Sequence, residues 1–413
     1  MKPKILKDDY ATQSQPDIEG PKLIEMTAVE QTPSFSDAEN ARSASRQNSV
    51  ISAELSASGM RIRVLTSEQE IDSIRDVWKS LCTSPNSDPD YFLTVVRSSP
   101  EVRSAYVLIV ERDGEIKALL VGRVEDRAFD VHLGYARLPQ PKVKTLVFIY
   151  GGFLGTPSQE ECAALADSIS QALKSGVADV AFFNHLLTDS PLYPMLLRHV
   201  GILARDRFPN TAVHRRITIP AGTDALWKQF PYKARGNFRW NVKTFLKSHA
   251  DSYSIEFLSK PSELDDMVRK VEAVATKTYQ RGLGVGFGAN PTELDRLRFK
   301  AEQGWLQVYV LSINGVPAAF LCGTLYQSVF HADHMGFDPE YRRSSPGIFL
   351  TLNVVEKFCE LKGDKRVTAI DFGLGDARYK ADLCNISWED GSLYLFAPRL
   401  RGMVLSAYRI PVL

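Results

Sequence analysis

The sequence predicts a mixed α/β protein made of two tandem copies of one unit, preceded by a polar tail. Two observations carry this reading. AYVLIVERDGEIKALLVGRV and QVYVLSINGVPAAFLCGT are both hairpins, turning at Asp113-Gly114 and Asn314-Gly315, dipeptides that suit a tight two-residue turn. Gly122 and Gly323 stand at the same separation from those turns. Each hairpin is then followed by a strand, a helix and a strand. In the first half these are TLVFIY, Glu160–Lys174 and VADVAFFN; in the second they are Val329–Gly336, IFLTLNVVEKFCEL and VTAIDFG. Recurrence of turn, strand order and helix in one sequence marks an internal duplication.

A chain of 413 residues with 44% hydrophobic content can bury a core of two-domain size. Its formal net charge of +1 gives no whole-chain attraction to nucleic acid. Cys82, Cys162, Cys322, Cys359 and Cys384 show no paired or CxxC spacing and read as reduced, small hydrophobes. No apolar run approaches the roughly 18 residues of a membrane span, and the N-terminus lacks a signal-peptide core. The expected location is cytoplasmic, or peripheral to the inner face of the membrane.

Residues 1–60 are rich in Ser, Gln, Glu and Pro, with Tyr10 and Phe35 as the sole aromatics. They offer too little apolar surface to offset ordering entropy, so a disordered tail is expected. RIRVLTS opens the folded part, and Ile71, Ile74, Trp78 and Leu81 predict a helix over Gln69–Leu81. The first-half strand TLVFIY is expected to end in a glycine turn, Gly151-Gly152-Phe153-Leu154-Gly155, before its helix. The expected boundaries are a first domain at 61–220, a basic helical connector at 221–255 and a second domain at 256–413.

The connector carries six Lys or Arg and no acid between Ala225 and Ala250. Arg235, Arg239, Lys243 and Lys247 follow at i,i+4 and line one stripe, while Phe230, Ala234, Phe238, Val242 and Phe245 line another. Such a stripe is either a docking face for an anionic, phosphate-rich partner or the solvated side of an amphipathic helix. QRGLGVGFGANP follows a helical pattern and precedes Pro291, so it lacks the strand–turn–helix setting of a dinucleotide fingerprint and reads as a flexible loop. Asp371-Phe372-Gly373 has the letters of a kinase metal motif, without the glycine-rich loop, lysine or catalytic loop that chemistry needs.

The chemistry is expected in the second half. Ser345 is a candidate N-cap, Pro346 fits the first helical position, and Gly347 lets a ligand approach the backbone. Free amides at such a helix start suit a phosphate, with Arg342 and Arg343 alongside for charge-assisted hydrogen bonds. Along VFHADHMGF, strict alternation would put His331, Asp333 and Met335 on one face and Ala332 and His334 on the other. Asp333, His331 or His334, acting directly or through a water, is the candidate general base. Two histidines flanking an aspartate also resemble metal ligands, but no third ligand stands at metal spacing and no metal is invoked.

GWLQVYVLSINGVPAA, HMGFDPEYRRSSPGIFL and AIDFGLGDARYKADL together resemble the Gcn5-related N-acetyltransferase (GNAT) fold, and more narrowly the BioF2-like (CelD/BcsL-type) acetyltransferases, a group associated with cellulose and exopolysaccharide biosynthesis. The doubled unit is similar to the Fem-type peptidyltransferases. Arg343-Ser344-Ser345-Pro346-Gly347 departs from the usual phosphate loop Q/R-x-x-G-x-G/A. The resemblance implies that the second domain binds acetyl-CoA or another acyl-CoA with its pyrophosphate on the amides of Ser344–Ile348, that Tyr379 protonates the leaving thiolate, and that Lys380 binds the cofactor or an anionic substrate. Asp371 and Asp376 would hold the amine or order their loop. The implied reaction is N-acylation of an amino group on a sugar or polysaccharide precursor, with the first domain shaping the acceptor site. The alternatives are a Fem-like transferase using aminoacyl-tRNA, for which one short basic helix is a small footprint, and a non-catalytic accessory protein of polysaccharide synthesis.

Overall fold

The computed structural model describes residues 53–55, 59–129, 132–133, 136–137, 140–207, 209–278, 281 and 286–408. Most of the expected tail, and Gln280 and 282–285 of the glycine-rich loop, lie outside them. Thirteen strands join one sheet: β1 (Ala53–Leu55), β2 (Met60–Leu65), β3 (Val102–Arg112), β4 (Glu115–Ala128), β5 (Lys142–Gly155), β6 (Val180–Leu187), β7 (Asn210–Thr218), β8 (Tyr253–Leu258), β9 (Leu306–Ile313), β10 (Val316–Tyr326), β11 (Val329–Phe337), β12 (Ala369–Leu374) and β13 (Ile386–Phe396). The helices that bear on the site are α1 (Pro89–Ser98), α2 (Gln159–Ser175), α3 (Tyr232–His249), α4 (Leu264–Ala275), α5 (Pro291–Glu302) and α6 (Pro346–Glu360).

The duplication is visible strand by strand. Hairpins β3–β4 and β9–β10 turn through Asp113-Gly114 (φ 54°, 79°) and Asn314-Gly315 (φ 51°, 77°), the left-handed pair that a two-residue turn requires. Gly122 and Gly323 have one and the same reason to be glycine. A Cβ at Gly122 would press on the Phe148 ring at 2.8 Å, and one at Gly323 would run into the Phe330 ring and the His331 carbonyl. Each hairpin then adds an antiparallel third strand, β5 or β11, and a parallel fourth, β6 or β12. A crossover helix, α2 or α6, links the third to the fourth.

The final strands are exchanged. The sheet runs β1-β2-β3-β4-β5-β6-β13-β7-β12-β11-β10-β9-β8, so β13, last in the chain, pairs with β6 of the first half. In return β7, which closes the first half, pairs with β12 of the second. The two exchanged strands pair with each other from Ile386↔Arg216 to Ser392↔Asn210. Apolar cores cover both faces: α2 packs over the first half opposite Trp78 and Phe92, and α3 and α6 cover the second half opposite α4 and α5.

Three local expectations change. The helix expected over Gln69–Leu81 is two short ones, Glu68–Asp72 and Arg75–Leu81, which still bury Ile71, Ile74 and Trp78. The glycine turn after Tyr150 is an irregularity inside β5: pairing jumps from Gly122↔Phe148 to Leu120↔Phe153, with Gly151 at φ 72° taking up the slack. Ala53–Leu55, within the expected tail, already pairs with Met60–Ile62.

Candidate active site

In each half the parallel pair of strands is zipped at one end and open at the other. β11 and β12 pair over Val329↔Ala369, Phe330↔Ile370 and His331↔Asp371, and then part. The wedge beyond that last rung leads into a groove of 620 Å³ lined by Met335, Phe337, Arg342, Ser345, Gly347 and Tyr379, among others. The start of α6 stands at the groove. Ser345 occupies the N-cap position, but in the left-handed region (φ 53°) and with no side-chain capping bond, so the expected serine cap is absent. The hydroxyl of Ser344 is engaged elsewhere, donating to the Tyr341 carbonyl at 2.9 Å. No acid lies in the first turn, and a Cβ at Gly347 would meet only the Phe337 ring at 3.4 Å. The helix start is therefore uncapped, positive and open on its backbone, which is what a pyrophosphate needs. Arg342 lines the groove, and both it and Arg343 are exposed.

The corresponding start of α2 in the first half is closed. Ser158 accepts from Glu161 N–H while the Glu161 carboxylate accepts from Ser158 N–H at 2.7 Å. Glu160 adds a second acid to the first turn. This capping box takes up the Ser158 and Glu161 amides, and both glutamates pair with Arg112. The two copies therefore differ at this helix start, one capped and acidic, the other uncapped.

β11 breaks the expected alternation. Its pairing with β10 shifts between Cys322 and Thr324, so Ala332 and Asp333 together face the single residue Gly323 in a bulge. Asp333 and His334 consequently both reach α5. Asp333 accepts from Lys300 Nζ at 2.8 Å and Thr324 Oγ1 at 2.5 Å, and His334 Nε2 lies 3.7 Å from Glu293. Met335 sits with Ala332 against the opposite core. Burial pushes the Asp333 carboxyl up, but the Lys300 charge outweighs it and holds it below the usual range. Asp333, through its ion pair with Lys300, and His334, beside Glu293, are thus both turned to α5.

His331 differs. It stands on the last rung before the strands part, and its Nε2 is buried without a hydrogen-bond partner among the described residues. Burial lowers its pKa, so the ring is neutral near pH 7 and can take up a proton. Tyr379 donates its hydroxyl to the Met335 sulfur at 3.0 Å at the groove wall. Burial pushes that phenol up to about 12, so it keeps its proton at neutral pH. Lys380 donates to the carbonyls of Phe372 and Leu374, both at 2.7 Å, and holds the end of β12. Asp376 pairs with Arg215.

Behind the rung lies a buried polar cluster that the strand exchange assembles. His214 on β7 faces Asp371 of β12 at 2.5 Å through Nε2, and Asp390 of β13 at 3.1 Å and Tyr150 of β5 at 3.0 Å through Nδ1. Its ring is stacked between Trp388 (4.2 Å, 9°) and Tyr150 (5.7 Å, 14°). Arg216 completes the pairing of Asp371 at 2.8 Å. Burial disfavours charge on His214, but the two carboxylates outweigh it and raise its pKa. Burial likewise pushes Asp371 up, and the His214 and Arg216 contacts override it, leaving the carboxyl well below its usual range. Of these groups Asp371 alone was singled out from sequence. The available signal was polar residues inside apolar strand runs, His214-Arg215-Arg216 and Trp388–Asp390, and nothing local shows that they meet.

Residues 233–381 match the family model of the acetyltransferase (GNAT) domain. The second half therefore carries a GNAT-type domain, and the chain is an acyltransferase. Among solved structures, FemX has 12% identity and a TM-score of 0.50, covering 81% of this chain and 97% of that one. A tandem GNAT protein from the clavulanic acid biosynthesis pathway has 12% identity, a TM-score of 0.47 and coverages of 82% and 99%. A conserved protein of unknown function from Bacteroides thetaiotaomicron has 13% identity, a TM-score of 0.47 and coverages of 78% and 97%. At such identities the FemX likeness speaks for the fold alone. No protein of curated function matches the sequence.

Proposed function

We propose that the chain transfers an acyl group, acetyl foremost, from CoA to an amino group on a sugar or other polysaccharide precursor. The observation that carries the donor side is the open wedge between β11 and β12 with the uncapped start of α6 on its rim. Bound acyl-CoA would supply the thioester and its thiolate leaving group. The amides at Gly347 and Ile348, with Arg342 and Arg343, hold the phosphate end, and the groove past Phe337 and Met335 takes the pantetheine. His331, neutral and with no partner for its Nε2 among the described residues, accepts a proton from the amine as the new amide bond forms. The C–S bond breaks, and Tyr379, protonated at neutral pH, gives its hydroxyl proton to the departing sulfur. The nature of the acceptor is supported by the BioF2-like resemblance of the second-half motifs.

The reading places the reaction in the cytoplasm, where acyl-CoA is found. It also keeps an anionic partner at the basic helix. Arg239, Lys243 and Lys247 of α3 line an open groove against α6, and no ion pair engages them among the described residues. No helix among those residues is long and apolar enough to cross a membrane.

The test is thermal shift with acetyl-CoA joined to thiol release across a panel of amines. Expected are a rise in Tm of several degrees at saturating acetyl-CoA and amine-dependent release of free thiol. Neither signal appearing would refute acyl transfer by this chain.

A further inference from the structure

The wedge of the first half opens into a cavity of its own. Where β5 and β6 part beyond Phe148 and Phe183, a space of 710 Å³ is lined by Tyr150, Asn184, His185 and Asp189 of the first half. Residues of the second half, His331, Asp371, Trp388 and Asp390, form its other wall. By the duplication it is the counterpart of the acyl-CoA groove. Its helix start carries the Ser158–Glu161 capping box, and the strand exchange has turned it towards His331.

Its charges can be accounted for one by one. Asp371 and Asp390 are matched by His214, which faces both through its two ring nitrogens and whose pKa they raise, and by Arg216. Burial keeps the rings of His185 and His331 neutral. The remaining charge is Asp189, exposed at the rim and in no ion pair among the described residues. A phosphate or carboxylate entering this space finds no uncommitted cation, and burying an unpaired anion is strongly unfavourable. A cationic or uncharged group finds a carboxylate at the entrance, and ring surface and neutral polar groups further in, a combination that suits the apolar face and hydroxyls of a pyranose.

We infer that this cavity is the acceptor chamber and that the amino-bearing unit it admits is an uncharged amino sugar residue, free of phosphate or carboxylate on that unit. The amine enters protonated past Asp189, loses that proton to solvent and presents its lone pair beside His331. The inference rests on the acyl-transfer reading above and narrows its acceptor.

The experiment compares methyl β-glucosaminide with glucosamine 6-phosphate as acceptors for the full chain with saturating acetyl-CoA, followed by thiol release. The neutral glycoside is expected to have a kcat/KM at least tenfold higher. Asp189→Lys, a change at an exposed rim position, should lower kcat/KM for the glycoside about tenfold and shift preference towards the phosphorylated sugar. The KM for acetyl-CoA should stay within twofold. Preference of the unaltered chain for the phosphorylated sugar overturns the inference. So does an acceptor KM that is the same in Asp189→Lys and Asn184→Trp as in the unaltered chain while thiol release persists; acyl transfer then stands and only the chamber is misplaced. Absence of acetyl-CoA binding and of thiol release with every amine sinks both readings together.

Discussion

His331 and Asp333 stand two positions apart on β11, yet the bulge opposite Gly323 gives them different work. Asp333 compensates Lys300, whose side chain is only 9% exposed. Removing one partner of a buried pair leaves the other charge stranded, at about 3–5 kcal/mol when burial is complete. Asp333 keeps 29% of its side-chain surface, so Asp333→Asn is expected to cost less, about 2–3 kcal/mol in urea unfolding. Its residual turnover should keep the pH profile of the unaltered chain. Loss of turnover with unchanged stability would instead make Asp333 the base. For Tyr379→Phe the expectation is the reverse pattern: kcat falls by roughly 10²–10⁴, while acetyl-CoA affinity and stability hold. A loss confined to affinity would remove the hydroxyl from the proton transfer.

Two helix starts, one open and one capped, distinguish the halves. The contrast between α6 and α2 can be tested by giving α6 the acid that α2 has. A Cβ at Gly347 has room against Phe337, and a carboxylate near a helix N-terminus favours the dipole. Gly347→Asp is thus expected to leave the Tm of the free protein unchanged or slightly higher. Its affinity for acetyl-CoA should drop at least tenfold, about 1.4 kcal/mol, measured by calorimetry. Unchanged affinity would take the pyrophosphate away from this helix. The Ser-Ser-Pro-Gly sequence, which departs from the usual acetyltransferase phosphate loop, leaves an uncapped turn through a left-handed Ser345 followed by Pro346.

Across the whole molecule, the exchanged strands make each half's sheet depend on the other. β7 and β13 occupy the centre of the sheet, so the halves are expected to unfold in one cooperative calorimetric transition. Two resolved transitions would contradict that coupling. The His214 cluster joins β5, β7, β12 and β13 and gives the joint a pH signature. Because the folded pKa of His214 lies above its ordinary value of 6.5, the folded state binds the proton more tightly. Its stabilisation is full below about pH 6.5 and is lost as pH rises through the folded value. Asp371 is depressed and acts oppositely: its contribution is present above about pH 3.9 and is lost as pH falls through its folded value. Tm should therefore decline on the alkaline side. In His214→Asn that decline should flatten, and stability near neutrality should drop by about 3 kcal/mol or more. An unaltered alkaline slope would show that His214 carries no proton there.

Much of this was legible in the residues. Turn dipeptides and repeated strand–helix order are local signals, so the α/β class and the two tandem units could be read from the sequence, and the fold is as read, while the serine cap expected at Ser345 is absent. Several features were not, for three physical reasons. A β-bulge shifts the facing of every residue after it, and its cause, Gly323 opposite Ala332 and Asp333, lies on another strand. Capping depends on backbone geometry, so Ser345 and Ser158 look alike as letters while one leaves its helix open and the other closes it. The cluster around His214 draws on four strands, with His214 and Asp390 176 residues apart. The sequence by itself determined the repeated unit and the helix that begins at Pro346 in its second copy. The tertiary structure alone decided that the last strands trade places, because pairing between distant strands is set by the whole sheet, and that exchange brings His214, Asp371 and Asp390 together beside His331.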